Sequence, residues 1–178
     1  LYEEFGEQLL ILSIHAGYLA EPNAKHTYDF RTATGDEIDA LFGVSAQGVP
    51  RGLINRKALD GQKALLKERW RNAIETQLAE SPTVGLQINS SFDAETRKLN
   101  IRVDAQYLKA VTDVKHRIAI YIAEDSIINF QKQYNPDLEF EDYAHRHVLR
   151  TAVNGTWGQT VANGNQTVGQ TYTLTECI

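Results

Sequence analysis

The sequence predicts two unlike halves: an α/β half over residues 1–81, and an antiparallel, β-sandwich-like half over residues 82–178. Three observations carry that division. A continuous apolar run, Gln8-Leu-Leu-Ile-Leu-Ser-Ile14, is followed by two segments of helical period. After Pro82 the hydrophobic period drops to two. Ser81-Pro82 stands between the two regimes as a helix stop.

Taken in order, Leu1 to Phe5 read as the last turn of an amphipathic helix ended by Gly6. The run from Gln8 to Ile14 has the unbroken apolar character of a strand buried on both faces of a parallel or mixed sheet. His15-Ala16-Gly17 closes it and puts a polar residue at the strand's C-terminal end, where α/β sheets build their sites. Thr34 to Phe42 predict a short helix with acidic residues in its first turn and Gly43 as C-cap. Val44 to Val49 connect it to Pro50, and Arg51 to Arg56 read as a second, shorter strand. Asp60 is the expected N-cap of a helix reaching about Glu80, whose stripe is Leu66, Trp70, Ala73, Ile74 and Leu78.

In the second half, Val84, Leu86, Ile88 and Phe92 alternate with polar residues, as do Leu99, Ile101, Val103, Ala105 and Tyr107 beyond the turn Asp93–Lys98. His116 to Ala123 predict a third strand, making an antiparallel meander with one face buried. Residues 125–141 have an irregular pattern with a turn at Asn135-Pro136-Asp137. Val153-Asn154-Gly155 marks a tight turn, the Asn-, Gly-, Thr- and Gln-rich stretch from Thr160 to Gly169 reads as a mobile loop, and Thr171 to Ile178 begin another strand.

Totals exclude several functions. With 42% hydrophobic and 23% charged residues the chain has the composition of a folded globular protein. Its formal charge of -5 is spread among both signs with no basic run, which argues against nucleic-acid binding. No apolar stretch approaches the roughly 20 residues of a membrane-spanning helix, and no signal peptide is legible at Leu1. There is no methionine, so Leu1 is not expected to be a native start. Cys177 is the single cysteine, which excludes an internal disulfide and a cysteine-rich zinc site. No phosphate loop, Gly-x-Gly-x-x-Gly or Gly-x-Ser-x-Gly occurs, so no catalytic residue and no cofactor is assigned.

The densest side-chain chemistry lies in Tyr143-Ala-His-Arg-His-Val-Leu-Arg150, with Trp157-Gly158 just beyond. His145 and His147 on one strand would share a face, as two metal ligands do, with His116 or Asp142 as candidate third ligands. The competing reading is local hydrogen bonding by the histidines while Tyr143, Val148 and Leu149 anchor the segment. Arg146 and Arg150 suit a carboxylate or phosphate clamp, or ion pairs with Glu141 or Asp142. The acidic pairs Glu124-Asp125 and Glu141-Asp142 read as solvated loop ends. Val49-Pro50 before a short strand, after a buried strand and a helix, has the order of the later part of a thioredoxin-like fold, where a cis proline lies beside redox cysteines. No cysteine pair accompanies it, so these residues cannot perform dithiol–disulfide exchange.

Together, Ser13-Ile-His-Ala-Gly17, Gly48-Val-Pro-Arg-Gly-Leu-Ile-Asn-Arg56, Glu124-Asp125 with Gln131, and above all Tyr143 to Arg150 with Trp157-Gly158 give the chain its familiar look. It resembles a family of Bacteroidetes outer-membrane lipoproteins, typified by the 28-kilodalton outer membrane protein of Porphyromonas. The resemblance implies a partial thioredoxin-like N-terminal half and a β-rich C-terminal half. It also implies a lipidated cysteine, and in many members a Cys-x-x-Cys, upstream of Leu1, with the β half continuing past Ile178. The expected role is that of a non-catalytic surface lipoprotein that binds host or envelope proteins. The alternative is an envelope thiol–disulfide protein. Pro50, Tyr143, His145, His147, Arg150 and Trp157 are the signature residues for binding or structure.

Overall fold

The computed structural model describes residues 1–134 and 136–178, and its sheets are built mostly from antiparallel pairs. The chain groups into two compact units, neither continuous in sequence: Leu1–Ala79 with Tyr121–Thr151, and Glu80–Ile120 with Ala152–Ile178. Residues 121–151 thus group with the N-terminal part of the chain.

In the first unit, α1 (Tyr2–Phe5) ends at Gly6 with φ 53°. The expected buried strand over residues 8–14 does not form. Ser13 pairs with Val148 as a single parallel bridge, its N–H donating to the His147 carbonyl at 2.7 Å while its carbonyl accepts from Leu149 N–H at 2.9 Å. Leu10 is 95% exposed. An apolar run becomes a two-face-buried strand only where neighbours pair along both its edges, and here only Ser13 bridges a neighbouring strand.

α2 (Ala33–Phe42) follows its local signals: Thr32 Oγ1 caps it by accepting from Gly35 N–H at 3.0 Å, and Gly43 closes it in the left-handed region at φ 60°. Val49–Pro50 is cis. β1 (Arg51–Leu53) then pairs antiparallel with β2 (Ala64–Leu66). That second strand corrects the expected helix start. Asp60 lies in a turn at φ 49°, and α3 (Lys67–Leu78) begins seven residues after it, behind an N-cap, Leu66, that makes no side-chain bond. Pairing Ala64-Leu65 against β1 buries both residues, at 4% and 0% exposure, which outweighs the helical alternative. Trp70 Nε1–H donates to the Leu65 carbonyl at 2.8 Å and ties helix to strand, while Ala73 and Ile74 carry the buried stripe.

The irregular stretch expected after Ala123 is instead ordered as strands. β6 (Tyr121–Glu124) neighbours β9 (Val148–Ala152), and β7 (Ile127–Tyr134) pairs antiparallel with β8 (Asp137–His145) with a bulge between Asn129 and Gln131. The turn expected at Asn135-Pro136-Asp137 includes Asn135, which lies outside the described residues.

In the second unit, β3 (Val84–Asp93) and β4 (Lys98–Tyr107) form the expected hairpin, its turn held by Asp93, whose carboxylate accepts from Glu95 N–H, Thr96 N–H and Thr96 Oγ1 at 2.9, 3.2 and 2.7 Å. The meander stops there. β5 (Val111–Ile118) pairs not with β4 but with β10 (Gln159–Gln166), and β11 (Thr171–Cys177) takes the other side of β4, giving the order β11-β4-β3. The stretch expected as a mobile loop after Thr160 is therefore mostly strand. Its polar side chains have partners: Gln166, 2% exposed, donates to the Asn163 and Gly164 carbonyls at 3.1 and 3.3 Å and accepts from Tyr172 Oη at 2.7 Å. Ile101, Val103, Ala105 and Tyr107 of β4 with Leu174 of β11 form the core of this unit.

Candidate functional site

The Tyr143–Arg150 stretch is not one strand. β8 ends at His145, residue 146 interrupts it, and His147 turns the chain with φ 55°, a left-handed conformation uncommon outside glycine. β9 restarts at Val148. Val148 and Leu149, 0% and 1% exposed, fix the turn from below. His145 and His147 therefore do not lie on one continuous strand, the arrangement in which they would share a face, and each meets a different partner.

His145 is buried at 5% exposure, and its Nε2 lies 3.1 Å from the Phe130 carbonyl. A carbonyl only accepts, so this nitrogen carries the proton. His147 is half-buried; its backbone N–H donates to Asp125 Oδ1 at 2.6 Å, and its Nδ1 lies 3.3 Å from the same oxygen. Asp125 thereby satisfies the backbone of a strained turn.

Around His145 lies an aromatic layer. Phe30 and Tyr143 approach it with ring centroids at 4.5 and 4.9 Å, and His15 stacks on Phe30 at 4.8 Å while meeting His145 edge-on at 5.5 Å. His15 Nδ1 is buried with no hydrogen-bond partner. Burial, assisted by the neighbouring His145, depresses the His15 pKa from 6.5 to about 4. The segment before α2 supplies the rest. His26 stacks on Phe130 at 3.4 Å, Tyr28 lies under the Arg150 guanidinium at 5.9 Å, and Lys25 pairs with Glu141 at 3.0 Å and Glu139 at 3.6 Å. Residues 25–30 thus strap the β7–β8 hairpin. His26, Tyr28 and Phe30 recur at period two, a strand-like signal that was legible in the sequence and that a search for catalytic motifs passes over.

The remaining candidates separate. Arg150 pairs with Glu124 at 3.4 Å rather than with the expected Glu141 or Asp142, and Glu141 pairs instead with Lys25. Glu141 and Asp142 lie within β8, not at a loop end. Pro50 is exposed and precedes β1. Trp157 and His116 belong to the second unit, where His116 Nδ1 meets Tyr107 Oη at 2.5 Å. Among the described residues no group of three or more His, Cys, Asp or Glu side chains is arranged to hold a metal ion. Cys177 is exposed. An open groove of about 430 Å³ is lined by Leu41, Phe42, Gln47, Gln62 and Lys63, with no titratable pair suited to acid–base chemistry.

What the β7–β8 hairpin does offer is apolar surface. Ile128, Tyr134, Leu138, Phe140 and Tyr143 are 58, 65, 45, 41 and 46% exposed. Braced by the strap of residues 25–30, they present aromatic side chains to solvent on a supported scaffold.

Residues 35–175 match the family described as Outer membrane protein Omp28. That stretch includes the Pro50 segment, Tyr143–Arg150 and Trp157-Gly158, while Ser13–Gly17 lie before it. No curated protein and no solved structure matches the chain. No helix is long and apolar enough to cross a membrane among the described residues.

Proposed function

The chain belongs to the Outer membrane protein Omp28 family, and from that premise we propose that this outer membrane protein is a non-catalytic binding or adhesion module, lipid-anchored at the cell surface, that captures host or envelope proteins. The observation that carries the reading is the exposed apolar side chains of the β7–β8 hairpin, Leu138, Phe140 and Tyr143 on one face and Ile128 and Tyr134 on the other, three of them aromatic. Tyrosine and phenylalanine contribute large contact area at low side-chain entropy cost, the character of an interface anchor. The histidine-rich stretch supports that surface from within: His145 ties β8 to β7 through the Phe130 carbonyl, and Arg150 packs over Tyr28 of the strap.

The test is capture of immobilised extracellular-matrix and envelope proteins by the purified full-length protein, against a Tyr134→Asp, Phe140→Asp double variant. Binding lost in the variant with unchanged circular dichroism supports the reading. If the protein bound none of them while intact cells adhered independently of it, the reading would fall.

A second reading is a thioredoxin-like thiol–disulfide protein. What favours it is element order: α2, Pro50, the β1–β2 hairpin, then α3 running back beside it. An insulin-reduction assay on the complete protein separates the two, since a binding module turns nothing over.

A further inference from the structure

β3 and β4 carry the same alternation and meet opposite fates. On β4, Ile101, Val103 and Ala105 are 6, 2 and 4% exposed; their opposites across the ladder are Ser90, Ile88 and Leu86, of which Ile88 and Leu86 are 67 and 63% exposed. Phe92, opposite Leu99, is 60% exposed. These side chains share one face of one sheet, so whatever covers β4 stops short of β3.

β3 is the edge strand, and the ladder says which of its backbone groups are free. Leu99 and Ile178 exchange both hydrogen bonds, at 2.8 and 3.0 Å, and Tyr107 N–H donates to the Gln170 carbonyl at 2.9 Å. Odd-numbered β4 residues therefore spend their backbone on β11, and even-numbered ones on β3, as Leu108 N–H does on the Thr83 carbonyl at 2.8 Å. By the register Gly85↔Gln106 and Gln87↔Asp104, odd-numbered β3 residues are the ones answered. Val84, Leu86, Ile88, Ser90 and Phe92 thus direct N–H and C=O outward, and four of these five bear apolar side chains.

Natural sheet edges are protected by lysine, proline, bulges or brevity. β3 has none of these: it runs ten residues in unbroken register with β4, and its only charged residue is the terminal Asp93. On the other edge, β11, the outward-directed backbone belongs to Thr171, Thr173 and Thr175.

We propose that β3 is a contact between two copies of this chain, pairing antiparallel with the same strand of a second copy about a two-fold axis. A two-fold contact opposes a patch to itself, and β3 suits that demand. Pairing outward-directed residues only with outward-directed residues keeps Leu86, Ile88 and Phe92 on one face, where the two apolar rows merge. The other face opposes Gln87, Asn89 and Ser91, neutral side chains that hydrogen-bond their like, so no charge meets its own sign from Val84 through Phe92. Parity leaves two central registers, Ile88 opposite its own counterpart or Asn89 opposite its own.

Sedimentation equilibrium of the whole chain from micromolar to millimolar concentration reads the assembly. The expected result is a reversible dimer, shifted to monomer by Ile88→Lys and by Leu86→Lys, and retained by Thr175→Lys on the opposite edge. Each lysine replaces an exposed side chain, and circular dichroism checks that the fold persists. In a Cys177→Ser background, oxidised Ile88→Cys or Asn89→Cys is expected to cross-link as a dimer and so to report the register. A wild-type chain that stays monomeric throughout the range, a dimer indifferent to both β3 lysines, or a dimer in which neither cysteine cross-links overturns the proposal.

Discussion

Each unit buries a histidine-containing cluster, and the two are built on opposite rules. In the second unit Tyr107 Oη meets His116 Nδ1 at 2.5 Å, and a connected chain links Gln170, Tyr172 and Gln166 at 2.6 and 2.7 Å before ending on the Asn163 and Gly164 carbonyls. Its polar atoms are answered, so burial costs little. In the first unit His15, stacked on Phe30 and edge-on to His145, carries a buried Nδ1 with no hydrogen-bond partner. There, packing carries the site and one polar atom is left over. A hydrogen-bonded cluster tolerates protonation changes poorly because its geometry is specified; an aromatic one tolerates shape but not charge.

The largest break in the comparison is expected from Gly158→Ala. A Cβ at Gly158 would lie 2.1 Å from the Ile118 carbonyl oxygen, at φ 66°, so backbone has to move just past the strand that carries His116. Destabilisation of about 4 kcal/mol or more is expected in urea unfolding. Gly155→Ala is the control: φ is 84° there, yet nothing lies within 4 Å of the added atom, so only the cost of the left-handed backbone, about 1 kcal/mol, is expected.

Acid should separate the clusters next. Because the folded-state pKa of His15 is depressed from 6.5 to about 4, the unfolded chain takes up its proton first as pH falls. The stability this neutral histidine permits is whole above about 6.5 and is lost progressively toward 4. By about pH 5 the loss is expected to be about 2 kcal/mol at most. His15→Phe keeps the stacking and removes the proton site, so its unfolding midpoint is expected to fall less between about pH 7.5 and pH 5 than that of the wild type. Equal slopes would show that the unanswered Nδ1 does not set the acid limit.

A smaller effect, about 1–2 kcal/mol, is expected for Tyr107→Phe, which leaves His116 Nδ1 without its buried partner. Its expected signature is a change in the His116 imidazole resonances, with those of His15 and His145 unmoved. Smallest is Glu124→Gln, which removes the half-exposed partner of Arg150 and is expected to cost under about 1 kcal/mol, less still in high salt. A larger loss would promote Arg150 from a packed side chain over Tyr28 to an electrostatic anchor of the hairpin.

Legibility in the sequence followed the range of the interaction. Thr32 and Gly43 bound α2 through contacts within a few residues, and the acidic first turn and Gly43 were readable as helix signals. Asp93 folds the β3–β4 turn through its own neighbours, and it too was readable. The signature stretch was visible as a dense cluster, but its break at residues 146–147 was not, because the left-handed turn is imposed by Asp125, far away in sequence. The Gln8–Ile14 run had a strand's composition and lacked the neighbours that make a strand.

The sequence alone thus determined the Gly43 C-cap, the Asp93 turn, the period-two strands of the β3–β4 hairpin and, through the signature stretch, the family. Tertiary structure alone decided which strand each one neighbours: β5 with β10, β4 between β3 and β11, and Ser13 against Val148. The physical reason is that alternation states only that one face of a strand is apolar. Whether that face is covered, as on β4, or bare, as on β3, depends on partners brought together from distant points of the chain.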